Sequence, residues 1–235
     1  MTDTSSVLQL EGVTRKFGSF TAVKDVTETF RQGELNCIIG PNGAGKSTLL
    51  NMICGTLPLS AGRISFEGQP IQGLPGERIA ELGIARKFQV PSVFPSLTVR
   101  ENLEVAAGLR GDDALLEEVL DRILLRDEAN RPAADLAHGK KQWLEIGMAL
   151  MLRPKVLLLD EPTAGLSVDE TRATADFLKE LKGKVTVIVI EHDMAFVRAL
   201  DAHTIVLHLG EVIAAGAFAQ IEANEMVKDV YLGRR

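Results

Sequence analysis

The stretch GPNGAGKST, Gly40 to Thr48, constrains this chain more than any other segment. It fits the pattern G-x-x-x-x-G-K-[ST] at Gly40, Gly45, Lys46 and Ser47. Its flanks fit as well. ELNCIIG (34–40) before it is a short apolar run ending at glycine, which reads as a buried strand. KSTLLNMICG (46–55) after it has helical spacing and stops at Gly55. A strand that feeds a glycine-rich turn into a helix N-terminus makes a phosphate cradle. The glycines, with Gly43 among them, let backbone N–H groups converge on anionic oxygens, and the helix dipole adds to their pull. Pro41, Asn42 and Ala44 complete the loop. Lys46 offers a point charge to β- and γ-phosphates, Ser47 a hydroxyl to Mg²⁺, and Thr48 a contact to an α-phosphate. Nucleotide binding on an α/β scaffold is the expectation.

VLLLDEP, Val156 to Pro162, supplies a second half. An Asp at the end of a buried apolar strand is costly unless it meets a cation or hydrogen-bond donors. Asp160 is therefore expected to hold Mg²⁺ through water or Ser47, and Glu161 to orient and polarise an attacking water. By itself the Asp-Glu pair would read as a strand end emerging into solvent; the phosphate loop changes that.

Around these motifs, VLQLEGV (7–13) and TAVKDVTETF (21–30) alternate like strands, and RISFEGQPI (63–71) reads as a strand and turn. Residues 76–82 read as a short helix and IARKFQ (84–89) as a strand. The character then changes. VPSVFPSL (90–97) is a linker with two prolines, and 98–153 is helical in pattern. KVLLLD (155–160) and KVTVIVIE (184–191) are continuous apolar runs that fit parallel strands buried on both faces. VDETRATADFLKELKG between them is an amphipathic helix ending at Gly183. TIVLHLGEVIAAG (204–216) resembles a hairpin with Gly210 in its turn, and 217–232 reads as short helices. An α/β core is thus interrupted by a helical insertion and then resumed.

Composition narrows the class. The 235 residues are 46% hydrophobic and 25% charged, enough for a sizeable core and against disorder. A net charge of -6 argues against sequence-independent nucleic-acid binding, and no nucleic-acid partner is expected. Cys37 and Cys54 each sit in an apolar run, so two buried thiols in a reducing compartment are expected. No apolar run approaches the roughly 18 residues that span a bilayer. The first residues lack a basic segment followed by an apolar one, so a soluble, intracellular chain is expected, with any membrane role exercised through a partner.

The motifs, taken in order, resemble the nucleotide-binding subunit of an ABC transporter over nearly the whole length. Gly40–Thr48 resembles the Walker A motif and Val156–Glu161 the Walker B motif. Gln89 in RKFQVP sits where that family has its Q-loop glutamine, and His192 in IEHDM matches its switch histidine. AGLS, Ala164 to Ser167, occupies the D-loop, with Ser167 where Asp often stands. Phe17 in RKFG matches the aromatic that stacks on adenine. Leu136–Lys140 occupies the signature motif, usually LSGGQ. The resemblance implies an α/β P-loop NTPase of the ABC cassette type: a parallel-sheet core, an antiparallel β subdomain and an inserted helical subdomain. Within one cassette spanning 1–235, it places the catalytic core and β subdomain at 1–89 and 154–217, the helical subdomain at 90–153 and C-terminal helices at 218–235.

It also implies the chemistry. ATP and Mg²⁺ are the cofactors, with Ser47 and Gln89 at the metal and Asp160 behind it. Glu161, His192 and Gln89 serve catalysis. Two cassettes pair head to tail, so that Leu136, Ala137, His138, Gly139 and Lys140 of one face the γ-phosphate held by the other. That would explain why LAHGKKQWLEIG (136–147) places Lys140 and Lys141 at the positive end of a helix dipole, with Lys140 expected to approach nucleotide. The stretch departs from the family pattern: Ala137 removes a hydroxyl donor, His138 replaces a glycine and Lys140 a glutamine. Full hydrolysis at the site this signature completes is thereby put in doubt.

HGKKQWLEIGMAL, the GIARKFQVPSVFPSLTVREN segment (83–102) and a terminal VYLG are similar to one importer subfamily, which takes up branched-chain amino acids, short amides and urea. The ATPase subunit of urea-type importers is the nearest resemblance. The implied partners are a second cassette, identical or homologous, two membrane permease subunits that place the chain peripherally on the inner membrane face, and indirectly a solute-binding protein. Lipid- or lipopolysaccharide-type transport ATPases and soluble non-transport ABC ATPases are the alternatives. Trp143, at helical spacing with Ile146 and Leu150, reads as core.

Overall fold

The computed structural model describes residues 6–87, 93–108 and 112–232. The chain opens with strands β1 (Ser6–Phe17), β2 (Phe20–Arg31) and β3 (Leu35–Ile39). Helix α1 (Lys46–Ile53) follows the glycine loop, and then come β4 (Ala61–Phe66), β5 (Gln69–Pro70), α2 (Gly76–Leu82) and β6 (Ile84–Lys87). The helical stretch holds α3 (Val99–Ala107), α4 (Asp113–Arg122) and α5 (His138–Met151), with single turns at Arg126–Glu128 and Ala133–Asp135. The α/β alternation resumes with β7 (Val156–Asp160), α6 (Val168–Glu180), β8 (Thr186–Ile190), α7 (Met194–Leu200), β9 (His203–His208) and β10 (Glu211–Ala217). Helices α8 (Phe218–Ala223) and α9 (Glu225–Leu232) follow.

The continuous apolar runs become the centre of a six-stranded sheet of order β10-β9-β3-β8-β7-β6. Strands β9, β3, β8, β7 and β6 run parallel, and β10 pairs antiparallel with β9. Every residue of β3, β7 and β8 is buried, as strands covered on both faces require. Their two-residue period sorts side chains between two cores. Cys37, Leu157, Leu159, Val187 and Val189 face one core, shared with α3, α4, α5, α6 and α7. Ile38, Val156, Leu158, Ile188 and Ile190 face the other, shared with α1 and the second sheet. That second sheet, antiparallel in order β2-β1-β4-β5, contributes Leu8, Leu10, Val26, Phe30 and Ile64. Leu158 is fully buried in this layer, and Leu158→Ala is expected to cost about 2–5 kcal/mol of stability in urea unfolding. A loss under about 1 kcal/mol would contradict the two-sided packing.

The helical insertion shares the first core rather than owning one. Leu103, Leu116, Leu120, Trp143 and Leu144 pack in the same cluster as the sheet residues Leu157 and Leu159. Trp143 is core, as its spacing predicts, and its indole N–H donates to Thr174 Oγ1 on α6 at 2.9 Å. Fully buried Asn102 on α3 staples the end of the proline-containing segment: its Oδ1 accepts from Phe94 N at 2.7 Å, and its Nδ2 donates to Phe94 O at 3.1 Å. Both thiols are buried, as expected; burial drives the Cys37 thiol up, and that of Cys54 up to about 11. The sequence pattern assigns no element to 192–203, yet α7 lies there. Asp193 caps it, accepting from Ala195 N at 2.8 Å and Phe196 N at 3.2 Å. A helix of two turns is too short for periodicity to announce, and the cap residue was its only signal.

Candidate nucleotide site

The loop after β3 folds as the glycine pattern requires. Gly40 has φ 152°, and a Cβ there would lie 2.1 Å from Leu207 O on β9. Gly45 has φ 104°, and a Cβ there would lie 2.4 Å from Ala22 O on β2. The loop is thus clamped between both sheets at positions that exclude side chains. Lys46 Nζ donates to the loop's own carbonyls, Gly40 O at 2.8 Å and Pro41 O at 3.1 Å. Burial lowers the Lys46 pKa, while Glu161 and Asp160 work against that shift. Ser47 is exposed and Thr48 half-buried at the same helix end.

Thr98, Asp112, Ser167 and Asp193 cap α3, α4, α6 and α7 with side-chain oxygens. Helices α1, α5 and α8 have no side-chain cap and no acidic residue in the first turn, though in α8 Gln220 Oε1 accepts from Ala217 N. At α1 and α5 the first N–H groups and the helix dipole can attract an anion. These are the helices entered by the phosphate loop and by the signature stretch.

Opposite the loop, Asp160 ends β7 almost fully buried, and Arg86 on β6 reaches its Oδ2 at 3.2 Å. Arg86 also donates to Asn51 Oδ1 on α1 at 2.5 Å. Glu161 follows with φ 47°, a left-handed conformation that is strained for a residue with a Cβ and that turns its carboxyl out of the strand line. His192 Nδ1 lies 3.4 Å from Glu161 Oε1. Glu191, 1% exposed, ties these loops together. Its Oε1 accepts from Thr163 N at 3.1 Å and its Oε2 from His192 N at 3.0 Å. Sequence reasoning missed Arg86, Asn51 and Glu191. For Arg86 and Glu191 the available signal was a charged residue at or near the end of an apolar strand, the same signal that singled out Asp160; Asn51, an amide on α1, had none. Gln89 lies outside the described residues. No group of three or more His, Cys, Asp or Glu side chains is poised for a metal among the described residues. Any divalent cation would draw most of its oxygen ligands from phosphate and water, the usual habit of Mg²⁺.

Phe17 is 46% exposed at the end of β1. The Arg15 guanidinium stacks 4.6 Å from its ring centroid, and Arg15 Nη1 donates to Pro58 O at 2.9 Å. Cation–π stacking fixes the ring while leaving surface for a base.

The signature stretch is held within its own chain. Leu136 is buried and Ala137 is exposed at the helix entrance. His138 Nε2 lies 3.2 Å from Ala164 O, at the segment 164–167. A Cβ on Gly139 would run into the Glu170 carboxylate at 2.3 Å. Hydrogen bonds from the Ser167 backbone and side chain hold Glu170 below the usual carboxylate range, with His138 and Lys140 adding to that. Ser167 therefore does a helix cap's work, which an Asp would share. Lys140 is paired within its own chain. Its ammonium pairs with Glu128, a carboxylate only 17% exposed on the preceding turn. Lys141 Nζ donates to Ala134 O at 2.8 Å. Both lysines at the positive helix end are thus satisfied by the two turns before it.

A groove of about 680 Å³ runs along the side of the molecule between the sheet layer and the helical stretch. Glu81, Gly83 and Lys155 line one wall, and Ala107, Leu115 and Met151 the other. No helix among the described residues is long and apolar enough to cross a membrane.

The two-sheet fold and a clamped phosphate loop facing a buried strand-end Asp define a P-loop nucleotide-hydrolysing cassette. Comparison with known proteins narrows this further. The family model for the ABC transporter matches residues 23–164. The high-affinity branched-chain amino acid transport ATP-binding protein BraF of Pseudomonas aeruginosa is 37% identical, over 97% of this chain and 98% of that protein. A crystal structure of the ADP conformation of an ATP-binding cassette of an ABC transporter superposes with a TM-score of 0.88 at 30% identity, covering 98% of this chain and 100% of that one. A dimeric post-hydrolysis cassette bound to ADP and Pi superposes at 0.77 with 28% identity, covering 90% of this chain and 98% of that one. The chain belongs to the ABC transporter family, as one of its ATP-binding cassettes, and it is an ATPase.

Proposed function

We propose that this ATPase powers import of a small polar solute through a membrane permease, as a subunit bound to the permease on the cytoplasmic face. The reading rests on two helix N-termini without a side-chain cap, each entered by one of the sequence motifs. One, at α1, opens on the chain's own phosphate loop; the other, at α5, opens outward on the signature stretch. A second cassette placed head to tail brings the α5 end of each chain to the nucleotide of the other. The dimeric relative with ADP and Pi supports pairing of two cassettes. The division into a core at 1–89 and 154–217, a helical insertion at 90–153 and terminal helices at 218–235 belongs to the same reading.

In this scheme Gly40–Thr48 cradle the phosphates, Lys46 leaves its loop carbonyls for the β/γ-oxygens, and Phe17 stacks on adenine. Ser47 and Gln89 would hold Mg²⁺, with Asp160 behind them, and the ion would supply charge neutralisation at the phosphates. Glu161 orients the attacking water and takes its proton, and His192 stabilises the γ-phosphoryl oxygens. Leu136 to Lys140 close the site from the partner. For that, Lys140 has to exchange Glu128 for phosphate, or the backbone N–H groups of α5 do the work alone.

The groove between sheet and helices is placed to receive a short helix of the permease, so that movement of the helical insertion reaches the membrane. The similarity to branched-chain amino acid transport proteins supports a solute of that size and polarity, and does not favour the lipopolysaccharide or soluble alternatives. Within it, HGKKQWLEIGM at 138–148 favours the urea or short-amide branch. The test is recovery of tagged Glu161→Gln from native membranes solubilised with ATP. Two hydrophobic permease subunits and a cassette partner are expected, with a solute-binding protein that identifies the solute by its own ligand. A purely soluble set of partners would refute the transport reading and leave the ATPase standing.

A further inference from the structure

We infer that Lys87 and Glu145 form a positioning pair through which the strand beside one nucleotide site sets the angle of the helix that completes the other. The inference rests on the head-to-tail reading given above.

Strand β6 is the edge of the parallel sheet and ends at Lys87. Its alternation sends Ile84 to the core shared with α1, and Ala85 to the core shared with the helical insertion. Arg86 and Lys87 continue that alternation with two cations. Arg86 turns to the α1 side, where it meets Asn51 and Asp160. Lys87 turns to the other side, where its Nζ lies 3.3 Å from Glu145 Oε2 on α5. The Lys87 and Glu145 side chains are 2% and 3% exposed. Adjacent residues of one short strand are therefore salt-bridged to opposite layers. One partner is the strand-end Asp of the chain's own site, and the other lies on the signature helix.

Charges this deeply buried are costly, and apolar side chains of equal size would hold α5 against β6 at least as firmly. What an ion pair adds is a defined register between two elements. Glu145 lies two turns, roughly 10 Å, from the His138 end of α5. Residues Gln142 to Gly147 between and around them are all buried, so the helix is gripped at this point. A tilt at Glu145 moves the uncapped N-terminus, and with it the N–H groups aimed at the partner's phosphate. Arg86 fastens the same strand to Asp160, which nucleotide and metal engage. Strand β6 is thus a common mount for both ends of the signal.

The test uses full-length protein carrying Glu161→Gln as parent. It compares Glu145→Gln and the apolar double replacement Lys87→Met with Glu145→Met. Three quantities are read: affinity for ATP at a dilution where cassettes are separate, ATP-driven pairing by sedimentation, and melting temperature. ATP affinity is expected to stay within about twofold in both variants while pairing weakens about tenfold or more, a coupling of ordinary allosteric size. The double replacement is expected to melt within a few degrees of the parent, which separates positioning from lost stability. Parent-strength pairing in the double replacement overturns the inference, and so does a fall in ATP affinity that matches the fall in pairing. If the parent itself does not pair with ATP, pairing of two identical copies fails instead.

Discussion

Glu161→Gln is expected to bind ATP as tightly as the parent and to release phosphate at least a hundredfold more slowly. The carboxyl sits one residue beyond Asp160 on strained backbone, with His192 Nδ1 at 3.4 Å. The amide keeps the shape of the side chain and an oxygen to accept from His192, but it cannot take a proton. A positioned general base contributes about 10²–10⁴ in rate, so the barrier rises by about 3–5 kcal/mol. Binding depends on the phosphate loop, which the substitution does not touch. Phosphate release and ATP affinity, measured on the same preparation, check both halves. Turnover near the parent rate would remove Glu161 from its role and move attention to His192. Trapped by slow hydrolysis, the variant is also the form in which ATP-driven pairing can be seen.

Much of this site was legible because its chemistry is local. The phosphate loop announces itself within nine residues, Gly40 to Thr48, since a tight turn, a cradle of N–H groups and a cation must all be contiguous. The buried parallel strands were legible for a similar reason: LNCII, VLLLD and TVIVI leave no polar face to show solvent. The parts that stayed hidden depend on distant partners. Nothing near Lys140 in sequence says that Glu128, twelve residues earlier, takes up its charge. Arg86 and Glu191 read as ordinary charges at strand ends until the sheet order sets β6 beside β7 and β7 beside β8. Helix α7 is too short for its periodicity to outweigh the strands on either side. In the antiparallel sheet β1, β2 and β4 were legible while β5 read as a turn, and the order was hidden because β1 pairs with β4 across β2, β3 and α1.

Lys46→Ala is expected to weaken nucleotide binding at least a hundredfold and to abolish the thermal stabilisation that ATP gives the parent. Lys46 is 7% exposed, its ammonium held by Gly40 O and Pro41 O, with Glu161 and Asp160 near enough to favour its charge. In the proposed scheme phosphate oxygens take the place of those carbonyls, and charge-assisted bonds to them contribute about 1.5–3 kcal/mol each. Losing two such contacts is worth more than the roughly 2.8 kcal/mol that a hundredfold change in affinity represents. At ATP about a hundredfold above its dissociation constant, the parent gains about 2.7 kcal/mol in stability, whereas the variant gains almost none. A melting series with and without ATP reads this directly. The variant's own fold should survive: Gly40 and Gly45 still clamp the loop between the sheets, and the vacated carbonyls open toward the nucleotide face, where water replaces the ammonium. Retention of tight ATP binding would mean that backbone N–H groups alone hold the phosphates, and the assignment of Lys46 would have to be abandoned.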